Sequence, residues 1–228
     1  IDNKNISIAA FSSFISKKEK RNTAYKFCEN PLDFIYVSNF TPIFKNPKIF
    51  INKVVKELNN INTIWEPSGR TTKNGFHSGN KFNIFNNTST NLNKLKSIIM
   101  NEIDSYYSKF FNETCALIQD WPSNKEIFGW YVILKKQGYQ VSHYHPGGWL
   151  SGVVYLKVVP SLKRNEGAIE FSLNGEDYFD PNSPKKIHKP KSGDIVLFPS
   201  SLNHSTIPFT TYSDRVIVAF DLNPSKKI

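Results

Sequence analysis

From Phe128 onward the sequence is a series of short runs rich in Val, Ile and Phe, with turn residues between them and no helical stretch. The runs are Tyr131–Leu134, Ser151–Val158, Ala168–Ser172, Asp194–Phe198 and Arg215–Asp221. Gly138, Pro146-Gly147-Gly148, Asn174-Gly175 and Ser192-Gly193 punctuate them, and Asn174-Gly175 reads as a type I′ hairpin turn. Short strands with regular turns and no intervening helices argue for an all-β sandwich or jelly roll.

The N-terminal part has helical periodicity instead. Residues 7–27 read as a helix ending before Pro31, and residues 33–40 as strand-like. Residues 47–60 form an amphipathic helix, with Ile49, Val54, Val55 and Leu58 as its apolar members. A loop rich in Pro, Gly, Thr and Asn, Glu66–Asn80, carries His77. Residues 90–111 give the strongest helix, with Thr90 as its N-cap and a core stripe from Leu92 to Phe110. The organisation is mainly β with supporting α-helices: residues 1–30 as an N-terminal helix or a linker to a preceding unit, and 31–228 as one β domain.

Chemistry concentrates at His143-Tyr144-His145-Pro146-Gly147-Gly148. In extended chain, residues i and i+2 share a side, so His143 and His145 can present two imidazoles to one point. His204, after Phe198-Pro199, offers a third, and three such donors suit a metal. The bland alternative is a surface His-x-His pair with no ion. Arg215 opens an apolar strand, an expensive place for a charge unless it is paired. Its bland reading is a salt bridge at a barrel rim, with Asp214 adjacent. Trp130 and Trp149 flank the metal turn, and His77 lies in the Gly-rich loop. All three could line a substrate cleft, although the tryptophans could equally be core and His77 simply exposed.

Five pieces in this order, Gly129–Leu134, His143–Pro146, Ser151–Leu156, Gly167–Phe171 and Phe198–His204, resemble the 2-oxoglutarate- and Fe(II)-dependent oxygenases. The likeness is to a subgroup with a His-x-His-Pro turn and a Ser-Gly-Val-x-Tyr-Leu strand, and it spans about residues 31 to 224. It implies a double-stranded β-helix (jelly roll, cupin-like). It implies Fe(II) held by His143, His145 and His204, with 2-oxoglutarate and molecular oxygen as the other reactants. It implies that Arg215 grips the distal carboxylate of 2-oxoglutarate, with Tyr155 and Ser151 beside it. The reaction implied is oxidative decarboxylation of 2-oxoglutarate coupled to oxidation, usually hydroxylation, of a primary substrate the sequence does not name. No catalytic side chain is needed beyond the metal centre. Two departures stand out. His145 occupies the position that most of the superfamily gives to a carboxylate, and Ile217 stands where a hydroxyl residue often follows the arginine. Two rivals remain: a three-His cupin-like metalloenzyme that does not use 2-oxoglutarate, and a non-catalytic β-sandwich binding module.

The net charge of +10 raises the question of nucleic acid. Of the 29 basic residues only Arg21, Arg70, Arg164 and Arg215 are arginines, and the lysines are scattered among asparagines. A solvated basic surface is therefore the default reading, and an anionic partner the alternative. Cys28 and Cys115 lie far apart in sequence and near no histidine, which argues against a disulfide framework and for a reducing, cytoplasmic setting. No apolar run reaches about 18 residues, so no membrane span is expected. The segment Ile6–Ile15 reads as helix, not as a signal peptide, and the initial Ile suggests a piece of a longer chain.

Overall fold

The computed structural model describes residues 4–79, 81–86 and 89–223. The ends of the two expected units, 1–3 and 224–228, and the last position of the Glu66–Asn80 loop lie outside these. Among the described residues four α-helices and ten strands follow in order: α1 Ile6–Glu19, β1 Tyr36–Asn39, α2 Pro47–Leu58, β2 Ile64–Trp65, β3 Thr72–His77, α3 Thr90–Phe110, α4 Ala116–Gln119, β4 Glu126–Gln140, β5 Leu150–Lys157, β6 Ile169–Ser172, β7 Lys185–His188, β8 Asp194–Pro199, β9 Asn203–Thr206 and β10 Arg215–Asn223. A seven-stranded sheet has the order β1-β8-β5-β10-β4-β3-β2, and a three-stranded sheet the order β7-β6-β9. All pairings are antiparallel.

Strand alternation gives the large sheet two apolar faces. Val132, Leu134, Val153, Tyr155, Val196, Phe198, Ile217 and Ala219 share one buried cluster with Ile169 and Phe171 of the small sheet. This cluster fills the space between the two sheets. The neighbouring positions Tyr131, Val154, Ile195, Leu197, Val218 and Phe220 belong to the other cluster, with Val54, Val55 and Leu58 of α2 and Leu92, Leu95, Ile99 and Ile103 of α3. Central strands buried on both faces read as unbroken apolar runs, which is why β5, β8 and β10 are legible in sequence. α1 adds Ile6 and Ala9 to the helix-side cluster and Phe14 to the inter-sheet one.

Several local expectations are corrected. α1 stops at Glu19, because Lys20 turns left-handed (φ 51°) and hands its N–H back to Ser16. The N-cap of α3 is Ser89 rather than Thr90, and Glu57 of α2 accepts from the same Leu92 N–H at 3.1 Å. The Glu66–Asn80 segment contains β3, which pairs with β4, so His77 stands on a strand and is buried. Gly138 lies within β4, at a bulge where Gln137 (φ 59°) and Asn74 (φ 47°) both adopt left-handed backbone. Neither Asn174 nor Gly175 has positive φ, so the type I′ turn is absent. There the Gly175 N–H bonds the carbonyl of Tyr178 at 3.0 Å. The Lys-rich run that ends at His188 is β7, an edge strand whose lysines suit an exposed edge. Cys28 and Cys115 are both free. No helix among the described residues is long and apolar enough to cross a membrane.

Candidate metal centre

Backbone pairing assembles the three histidines. His143 exchanges both main-chain bonds with His204, N–H to O at 3.1 Å one way and 2.9 Å the other. Such a directly opposed pair holds its side chains as neighbours on one face. His204 sits at the start of β9, paired with Phe171. Two residues on, the His145 N–H bonds the carbonyl of Ser200 at 2.9 Å, and the Gly148 N–H closes a turn onto His145 at 3.1 Å. The three rings lie 4.3 to 5.1 Å apart, centroid to centroid. Their ligand atoms all fall within 4.8 Å of one another, the one such grouping found among the described residues.

Each ring is oriented through the same atom. His143 Nδ1–H donates to the Val141 carbonyl at 2.7 Å, and His204 Nδ1–H to the Leu202 carbonyl at 3.1 Å. His145 Nδ1–H donates to Asp221 Oδ1 at 2.6 Å. With Nδ1 so engaged, the Nε2 lone pair of each ring is left for a metal, the tautomer that outer partners of metal-bound histidines commonly fix. Burial pulls His143 down to about 3, helped by His145 beside it, and holds His204 well below the ordinary histidine range. Both are therefore neutral donors at physiological pH. The imidazole set fits Fe(II), Zn(II) or Ni(II) by chemistry, and a three-donor face leaves open positions.

A second feature lies at the start of β10. Arg215 is 1% exposed, and among the described residues no carboxylate pairs with it. Its Nε–H reaches the Gly167 carbonyl at 3.3 Å and its guanidinium lies 5.0 Å from the Tyr155 ring centroid, but Nη1 has no partner. The Tyr155 hydroxyl is buried and also unpartnered. Burial lowers the arginine and raises the tyrosine to about 12. The rim salt bridge is ruled out, since Asp214 pairs with Lys135 at 2.7 Å. A buried cation and a buried hydroxyl with free hydrogen-bonding capacity lie side by side here, a pair whose chemistry suits an anion.

The other expected residues divide. His77 and Trp130 line a cavity of about 430 Å³ at the histidines, with their rings near-parallel 6.3 Å apart. Burial, and Arg70 nearby, bring His77 down to about 4. Trp149 is core: it is buried, packs on Phe27 and donates Nε1–H to the Leu117 carbonyl at 2.9 Å. The Ser151 hydroxyl, expected beside 2-oxoglutarate, bonds Asp221 Oδ1 at 2.6 Å and Ser200 Oγ at 2.8 Å and lies 3.0 Å from His145 Nδ1. It supports the Asp221–His145 pair, four strand positions from Tyr155. The sequence reading missed Asp221, Arg70 and Phe128, the last two also lining the cavity. For Asp221 a signal existed: it continues the alternation Arg215, Ile217, Ala219 on one face of β10.

A three-imidazole cluster at the mouth of two facing antiparallel sheets defines a class, the mononuclear metalloproteins built on a double-stranded β-helix. Comparisons with known proteins sharpen it. Residues 129–221 match the model of a family described as "Putative 2OG-Fe(II) oxygenase". A prolyl-4-hydroxylase from Pseudomonas putida superposes with a TM-score of 0.57 at 11% identity, over 96% of this chain and 100% of that one. HygX from Streptomyces hygroscopicus, solved with nickel and 2-oxoglutarate, gives 0.55 at 13% identity, over 90% and 88%. A Trichoplax adhaerens prolyl hydroxylase, in complex with a hypoxia inducible factor peptide fragment, gives 0.56 at 12%, over 97% and 91%. No curated protein matches the sequence. At these identities the structural likeness establishes the fold, a double-stranded β-helix. The family match and the three-histidine site place the segment 129–221 in the 2-oxoglutarate/Fe(II)-dependent oxygenase superfamily, whose members use Fe(II), 2-oxoglutarate and dioxygen. The protein is a 2-oxoglutarate-dependent oxidoreductase.

Proposed function

We propose that the protein is a hydroxylase in which His143, His145 and His204 hold Fe(II) and Arg215 anchors the distal carboxylate of 2-oxoglutarate. The observation that carries this reading is the unpartnered Nη1 of a fully buried arginine, beside the equally unpartnered Tyr155 hydroxyl. Burying a guanidinium without a counter-charge costs several kcal/mol, a cost a bound dicarboxylate offsets through a charge-assisted bidentate contact. Tyr155 has one O–H to donate to the same carboxylate. Iron with 2-oxoglutarate and dioxygen supplies the oxidation: one oxygen atom ends in succinate, released with CO2, and the other in the hydroxylated product.

The protein's own part is binding, orientation and exclusion of water. The primary substrate enters over His77 and Trp130, whose cavity is of a size that takes a small ligand or one side chain of a larger one. His77 stays neutral there, its Nδ1 accepting from the Gly79 N–H at 2.7 Å. The rival metalloenzyme without 2-oxoglutarate gives Arg215 nothing to bind.

Two measurements test the reading. Protein incubated with Fe(II), 2-oxoglutarate and air should form succinate, slowly when uncoupled from a substrate. His204→Ala should fold, hold no stoichiometric metal and form none. A full equivalent of metal in His204→Ala removes His204 from the site, and metal binding without any 2-oxoglutarate binding favours the rival.

A further inference from the structure

In the usual oxygenase site a carboxylate bound to the metal offsets one of its charges. Here His145 takes that position, and the set of three imidazoles is neutral. We propose that Asp221 supplies the missing negative charge through His145, as a positioning and charge-donating residue one hydrogen bond removed from the metal. The inference rests on the three-histidine reading above.

The three rings are not equivalent. His143 and His204 donate to main-chain carbonyls, whereas His145 donates to a carboxylate, with the short separation of 2.6 Å. A carboxylate accepting from Nδ1–H draws that proton and makes Nε2 a stronger, partly anionic donor. The one ligand so treated is the one that replaces the superfamily's carboxylate.

The arrangement is built to hold Asp221 in place. Ser151 Oγ–H donates to the same Oδ1 at 2.6 Å, and Ser200 Oγ lies 2.8 Å from Ser151 Oγ. The side chain of Asp221 is only 15% exposed, and its one ion-pair partner among the described residues is His145. No lysine or arginine there takes up its charge. Gly148 leaves the space: a Cβ at that position would stand 2.6 Å from Ser200 Oγ and 3.0 Å from Asp221 Cγ. The other imidazole–carboxylate contact, His188 to Asp194 at 2.9 Å, lies between β7 and β8 and involves none of the three clustered histidines.

Anaerobic Co(II) titration, followed by its visible d–d bands, tests the proposal without turnover. Asp221→Asn keeps an oxygen acceptor of the same shape and removes the charge. It should bind Co(II) about 10- to 100-fold more weakly than the parent. The bound Co(II) should in turn take azide more tightly, because an external anion now supplies the charge. In a His145→Asp background, where a carboxylate meets the metal directly, the Asp221→Asn penalty should disappear. Co(II) affinity unchanged by Asp221→Asn overturns the proposal and leaves Asp221 as an orienting group only. A penalty of equal size in both backgrounds also overturns it, as a loss of folding rather than of charge. If the parent protein binds no Co(II), the three-histidine reading itself fails, which is a separate result.

Discussion

Arg215→Met puts the proposed carboxylate-anchoring role of Arg215 to its sharpest test, because opposite signs are expected for stability and binding. The side chain gives up a cation–π contact with Tyr155, worth about 2 kcal/mol when desolvated, and one long hydrogen bond to Gly167, worth about 1 kcal/mol. Against this, methionine relieves the desolvation of a buried guanidinium with no carboxylate partner, a penalty of several kcal/mol. The unliganded variant should therefore be more stable than the parent by on the order of 1–3 kcal/mol. At this chain length each kcal/mol is worth about 2–4 °C in Tm. Binding should move the other way. Removing one half of a charge-assisted pair costs about 2–5 kcal/mol, roughly 30- to 5,000-fold in affinity. The assay is thermal melting of the Ni(II)-loaded protein, anaerobically, with and without 2-oxoglutarate. The parent should gain about 2.7 kcal/mol at a hundredfold excess over Kd, and the variant nothing. A variant that is destabilised by more than 2 kcal/mol and still responds fully to 2-oxoglutarate would refute the reasoning, because Arg215 would then be structural.

Other predictions follow from the histidines. His145→Asp should retain metal and some succinate formation, since it restores the commoner ligand set. His145→Gly should lose turnover unless added chloride or another anion fills the vacated position. Full activity in the glycine variant without chloride would show that His145 is not a ligand. Stability without metal should fall as pH drops from 6.5 to 5. His143 and His204 are held neutral when folded, down to about 3 for His143, while in the unfolded chain they take up protons near 6.5. The unfolded state thus binds more protons in this window, at about 1.4 kcal/mol per pH unit per histidine. His143→Gln should flatten the urea-midpoint profile by one such slope; an unaltered profile would mean His143 is already charged. Trp149→Ala should cost about 3–5 kcal/mol of stability, as core loss does. Trp130→Ala should cost much less and act on substrate binding instead, a contrast that denaturant melts of the two variants would check.

The parts of this protein that local pattern determines were legible in the sequence. Apolar runs buried on both faces marked β5, β8 and β10, the 3.6-residue stripe marked α3, and the i, i+2 spacing put His143 and His145 on one side. Arg215 at the head of an apolar strand announced a charge that needed a partner. What pattern does not encode is which partner arrives from far along the chain. Asp221 meets His145 across 76 residues, and Ser151 meets Asp221 across 70, so the support of the third ligand exists only once β5 and β10 pair. The same holds for Trp130 and Trp149: Trp130, on β4, lines the cavity, whereas Trp149, in the turn before β5, is held in the helix-side core by Phe27 and the Leu117 carbonyl, partners more than 30 residues away that residue type does not reveal. Strand β3 and the edge strand β7 also escaped detection. Their side chains are half solvated and Lys- or Gly-bearing, and their place is fixed by the ladder of β4 or β6 beside them rather than by any periodicity of their own.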